Sequence, residues 1–159
     1  HMRIQIIQVG KTKHQFITAA EQEYSKRLSP WADLKIITLK ESSTDSTSEH
    51  ARQKTKSAEA AKILEVIPKD SFVIALDETG KQFTSVEFAE KINHLKDFQG
   101  ANLTFIIGGP FGLAEEVKKQ ASLLLSFSKF TFTHEMIRAL LLEQLYRAFT
   151  IISNKTYHY

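Results

Sequence analysis

The feature that most restricts this chain is an alternation of short apolar runs with longer stretches of helical spacing. Residues 3–9, RIQIIQV, alternate in polarity and stop at Gly10, as a strand does. Phe16, Ala20, Tyr24 and Leu28 then recur about one helical turn apart until Pro30 ends the pattern. Residues 34–39 form a second strand, and the polar run SSTDSTS at 42–48 is expected to be a surface loop. Ser46 with Glu49 has capping-box spacing and is expected to open a polar helix over 49–66. Its Arg52, Lys54, Lys56 and Lys62 suit either a solvated face or phosphate contacts.

The same rhythm continues. SFVIAL at 71–76 is a continuous apolar run of the kind buried on both faces, and DETGK at 77–81 leaves it as a polar turn. Thr84 and Glu87 make another capping box, with a helix to about Lys96. NLTFII at 102–107 runs into Gly108, Gly109, Pro110, Phe111 and Gly112, followed by a helix over 113–120. Residues 123–127 form the last strand, and a long apolar helix spans 134–152. Strands that alternate with helices imply an α/β fold: a mostly parallel sheet with helices on both faces, here in a single domain over 2–159. His1 before Met2 reads as a vector remnant.

Ligands of open α/β sheets bind beyond the carboxyl ends of the strands. The ends at Leu76, Ile107 and Phe127 are unusual here, and neighbouring strands would merge them into one pocket. Gly10, Lys11 and Thr12 do not complete a phosphate loop, because Gln5 stands where that motif needs glycine. They read as a strand-to-helix turn with a basic rim of Lys11, Lys13 and His14. The GGPFG loop lacks the dinucleotide spacing, so it is either a structural turn or a backbone-ligand contact. SFSKFTFTHEMIR, from Ser126 to Arg138, has neither Gly nor Pro and is too rich in polar side chains for a plain turn.

On the last helix, Ile137, Leu141, Leu142, Leu145, Ala148, Phe149 and Ile152 share one face, and Arg138 falls near its middle. A charge there needs an acidic partner, hydrogen bonds or a wet site. Apolar residues continue round the helix, which implies burial on two sides, the second against another subunit. With no Cys, thiolate metal sites, disulfides and cysteine nucleophiles are excluded. Neither His134 nor His158 pairs with Asp or Glu at a metal-ligand spacing, and no apolar run reaches the length of a membrane span, so a cytoplasmic, metal-free protein is expected. A charge of +3 permits a polyanionic partner such as RNA without requiring one. The aromatic, basic tail NKTYHY at 154–159 suits closure over a site or stacking on a base.

IIGGPFGL from Ile106, LSFSKFTFTHEMIR from Leu125, EQLYRAF from Glu143 and the terminal Tyr157-His158 together resemble the pseudouridine N3-methyltransferases of the large ribosomal subunit, in the SPOUT class. The resemblance runs the length of the chain. It implies a C-terminal trefoil knot, a homodimer, and S-adenosylmethionine bound by Leu76, Gly108, Phe127, Ser128, Lys129, Phe130, Thr131 and Phe132. It maps the functional basic and C-terminal positions onto His134, Arg138, Tyr157 and His158. Arg138 is expected to anchor a phosphate or a base edge, and His158 or a partner-subunit residue to take the imide proton. The target that the resemblance implies is ribosomal RNA on assembled or nearly assembled ribosomes. The family usually has Pro where this chain has Thr133. A catalytically silent RNA-binding factor and a nucleotide-binding enzyme are the competing readings.

Overall fold

A computed structural model describes residues 1–42, 46–98 and 101–154. Strand β1 (Met2–Val9) lies inside the sheet, which explains its burial: Ile4 and Ile6 face one side and Ile7 and Val9 the other. After it come α1 (Gln15–Leu28), β2 (Ala32–Leu39), α2 (Glu49–Val66), β3 (Phe72–Gln82), α3 (Ser85–Phe98), β4 (Asn102–Ile107), α4 (Glu115–Gln120), β5 (Leu123–Ser126) and α5 (His134–Ile152). The sheet has five strands in the order β2-β1-β4-β3-β5, and every pairing is parallel.

Two apolar layers cover the sheet. Leu103, Phe105, Ile107 and Ile74 pack with Phe88 and Ile92 of α3 and Leu141, Leu145 and Phe149 of α5. On the other side Ile106, Val73 and Ala75 meet Ile63 of α2 and Val117 of α4. Helix α5 lies against both α1 and α3. Packing within the chain therefore covers much of the apolar circumference that suggested a second subunit, and Met136 is the large apolar side chain of this helix left exposed.

Local signals are realised with a few shifts. Thr84 and Glu87 form the reciprocal box: the Thr84 N–H donates to the Glu87 carboxylate at 2.7 Å, and the Glu87 N–H donates to Thr84 Oγ1 at 3.0 Å. Helix α2 is capped by Ser48, not Ser46. Ser48 Oγ accepts from the Ala51 N–H, while Ser46 Oγ accepts from the Ser48 N–H and shapes the approach. Residues 43–45 of the polar run lie outside the described residues. Helix α4 starts later than the pattern implied, because Leu113 and Ala114 are buried in the core before the helix begins.

The largest departure concerns the turn expected at 77–81. Strand β3 runs on to Gln82, and Leu125 of β5 pairs with both Leu76 and Lys81, so residues 77–80 bulge out between two paired segments. Gly80 makes this possible, since a Cβ there would lie 2.6 Å from the Leu124 carbonyl carbon. Polar composition signalled a break in pairing, but β5 restores the ladder beyond it.

Candidate active site

The order β4-β3-β5 places the unusual strand ends side by side. Between them lies a cavity of about 450 Å³, walled by Leu76, Asp77 and Glu78 from β3, by Ile107 to Leu113 after β4, and by Leu125 to Ser128 with Phe130 to Phe132 after β5. His134 and Ile137 of α5, Lys118 of α4 and Lys56 of α2 complete it.

The loop after β4 folds on itself. The Gly112 N–H donates to the Gly109 carbonyl at 3.1 Å, and Gly112 adopts φ 83°, a left-handed conformation that suits glycine. A Cβ on Gly108 would stand 2.8 Å from the Gly112 backbone, so nothing larger than hydrogen fits where this loop meets the cavity. The loop after β5 is shaped by its own serines: Ser126 Oγ donates to the Ser128 carbonyl, and Ser128 Oγ accepts from the Phe130 N–H, both at 3.0 Å. Phe130 is 79% exposed at the rim and Phe132 is exposed beside it. Thr133 ends the loop as the N-cap of α5, its Oγ1 accepting from the Met136 N–H at 3.2 Å. The side-chain cap compensates for the missing proline, because it fixes the helix start by a hydrogen bond where a ring would fix it by φ.

The opposite wall is charged. Asp77 lies 3.1 Å from Lys118 Nζ and also accepts from Thr79 Oγ1. Burial works against its ionisation, but the Thr79 and Lys118 hydrogen bonds outweigh this and lower its pKa. Lys118 is held by Asp77 and, at 3.6 Å, by Glu115. The α2 cations are not simply solvated: Lys56 lines the cavity, and the Arg52 guanidinium lies 5.7 Å from the centre of the Phe111 ring. Burial lowers the pKa of His134, with Arg138 adding to the effect, so its ring is neutral near pH 7.

Of the residues expected around a cofactor, Leu76, Gly108, Phe127, Ser128, Phe130, Thr131 and Phe132 line the cavity, as does His134. Lys129 is not part of the wall. Tyr157 and His158 lie outside the described residues. Arg138 is 1% exposed and faces inward, where its NH2 donates to the Val9 carbonyl at 2.7 Å and its NH1 to Thr12 Oγ1 at 2.9 Å. Two of its guanidinium nitrogens thus bond oxygens at the end of β1 and in the turn after it, and the side chain braces that turn. Sequence reasoning missed Asp77, Glu78 and Lys118 as wall residues and left Lys56 between a solvated face and a phosphate contact. The first two follow a flagged strand end directly, whereas helical lysines look solvated until the fold puts them over a cavity.

Among the described residues no cluster of His, Cys, Asp or Glu could hold a metal ion, and no helix is long and apolar enough to cross a membrane.

A parallel sheet with its cavity built by loops after adjacent strands, one of them leading into a long C-terminal helix, is the arrangement of a SPOUT methyltransferase. The model of that family, described as "predicted SPOUT methyltransferase", matches residues 2–158, and the chain belongs to this family. It is 46% identical over 158 residues to the ribosomal RNA large subunit methyltransferase H of Clostridium botulinum strain Kyoto, covering 99% of both chains. With the protein of that name from Halothermothrix orenii it shares 43% identity over 158 residues, again covering 99% of both. Its fold also matches the crystal structure of a probable methyltransferase from Bordetella pertussis, with a TM-score of 0.58 at 13% identity, over 92% of this chain and 96% of that one.

Proposed function

We propose that the chain uses S-adenosylmethionine to methylate N3 of a pseudouridine in large-subunit ribosomal RNA, on assembled ribosomes and as a homodimer. The observation that carries this reading is the convergence of Leu76, Gly108 and the loop from Phe127 to Phe132 on one cavity. Full-length relatives at 43% and 46% identity bear the name of an rRNA large subunit methyltransferase.

The cavity suits the cofactor. Gly108 keeps its loop free of side-chain bulk, and apolar walls at Leu76, Ile107 and Leu125 suit an adenine. Leu76, Gly108 and the β5 loop would hold it. When bound, it supplies an electrophilic methyl group.

The protein's own tasks are to orient the base, exclude water and remove a proton. The N3 imide is a weak acid, so it must lose its proton before or during attack. His158 is the proposed acceptor. His134, on the wall and with its pKa lowered by burial, is proposed to accept a hydrogen bond from the base edge, and Tyr157 is proposed to close the site. The exposed Phe130, Phe132 and Met136 are the proposed contact with a second copy, which would bring its own side chains to the same rim. The trefoil knot would pass the β5 loop through the chain and hold its backbone open toward the ligand.

Mass spectrometry of ribosomal RNA from cells with and without the gene tests the reaction. Loss of one methyl from a pseudouridine is expected. An unchanged RNA, or no calorimetric binding of S-adenosylmethionine, would overturn the reading and leave an RNA-binding factor with the same fold. For the proton acceptor, His158→Ala should slow single-turnover transfer while cofactor binding is kept.

A further inference from the structure

The turn from Gly10 to His14, with Phe16 in the first turn of α1 behind it, has no task in methyl transfer as proposed, yet it is tightly held. Glu135, 4% exposed, puts both carboxylate oxygens 3.1 Å from the Lys13 N–H, and its Oε1 also accepts from the His14 N–H at 3.1 Å. His14 Nδ1 lies 3.0 Å from the same oxygen, so the ring donates there and turns its other nitrogen outward. Arg138, one turn further along α5, holds Thr12 and the Val9 carbonyl from beneath. A buried charge of each sign thus fixes the backbone of a single turn.

That turn presents outward what an RNA strand recognises. Lys11, Lys13 and His14 are exposed, and Phe16, at 64%, is among the most exposed large apolar side chains of the described residues. The His14 and Phe16 rings lie 5.5 Å apart, centre to centre. Cations beside an unburied aromatic ring suit a phosphate backbone with an unpaired base. The position fits too. Glu135 follows His134 of the cavity wall, and Lys13 is near enough to bear on the His134 charge. Glu41, 3.9 Å from Lys13 Nζ, keeps the patch from being purely cationic.

We propose that Lys11, Lys13, His14 and Phe16 form a docking site for the RNA segment flanking the target nucleotide, and that Glu135 and Arg138 are positioning residues holding it in register with the cofactor cavity. The proposal rests on the RNA methyltransferase reading. Its logic is mechanical: α5 starts where the cofactor loop ends, so one helical turn sets both the methyl donor and the strand that carries its acceptor.

The test uses the full-length protein and large ribosomal subunits from cells lacking the gene. The double variant Lys11→Ala/Lys13→Ala should raise KM for these subunits by about tenfold and make the slope of log affinity against log salt shallower by roughly 0.7–0.9 for each phosphate no longer neutralised. Calorimetric binding of S-adenosylmethionine should not change. Normal KM and salt slope would overturn the proposal. A photo-crosslinking amino acid at Phe16 gives an independent result: crosslinks to RNA support it, and crosslinks only to a second copy of the chain or to a ribosomal protein overturn it. If the unmodified protein methylates no ribosomal RNA, the underlying reading fails. If it does so and the double variant matches it, the docking site alone fails.

Discussion

Two loops meet the first turn of α5 from opposite sides, and they are built differently. The β5 loop is shaped by hydrogen bonds from its own serines and keeps Phe130 exposed. The turn after β1 is held from outside by the buried Glu135 and Arg138. A loop that must admit a ligand needs backbone left available, whereas a loop that must hold one position can be fixed by charged side chains beneath it. The helix between them joins a loop shaped by its own serines to a turn clamped by buried charges.

The most severe way to break this contrast is Arg138→Ala. It removes charge-assisted hydrogen bonds to Val9 and Thr12 and leaves a buried carbonyl unsatisfied, so stability should fall by about 3 kcal/mol in chemical denaturation. A drop under about 1 kcal/mol would mean that the turn holds itself. Gly108→Ala acts on the other loop: its Cβ meets the Gly112 backbone, and a cost of roughly 1–3 kcal/mol should accompany much weaker cofactor binding by calorimetry.

Acid should separate the two loops without mutation. Burial would raise the Glu135 pKa, but the His14 ring and the His14 and Lys13 N–H groups hold it down to about 2. A depressed carboxyl pKa stabilises the fold above its unfolded value of 4.5, and that contribution fades as pH falls from there toward 2. Thermal unfolding followed across this window should show the decline, and Glu135→Gln should flatten it. The smallest effect is expected of Thr133→Ala, which removes the α5 cap for about 1 kcal/mol; if Tm is unchanged, the cap is idle.

Much of the fold is legible in the chain alone. Apolar runs mark the strands because inner strands of a parallel sheet are covered on both faces, and β4 is buried from Leu103 to Ile107 for that reason. The Thr84–Glu87 box is local chemistry and needs no tertiary information. Ser46 is not the cap its spacing suggests, because Ser48 offers the same hydroxyl nearer the helix and spacing cannot rank two serines. The cavity is half legible: glycines and an overloaded connection mark its loops, but nothing local marks the lysines of α2 and α4 as wall residues.

The sequence by itself determined which segments are strands, that Arg138 is an anomaly on an apolar face, and which loops follow which strands, since all of these depend on neighbours along the chain. Only the tertiary structure decided that β4, β3 and β5 lie side by side, that the 77–80 bulge rejoins β5, and that Arg138 is answered by a strand at the far end of the chain. Those outcomes depend on pairing between distant segments. A one-dimensional pattern records how costly a buried charge is, while the fold alone supplies the oxygen that satisfies it.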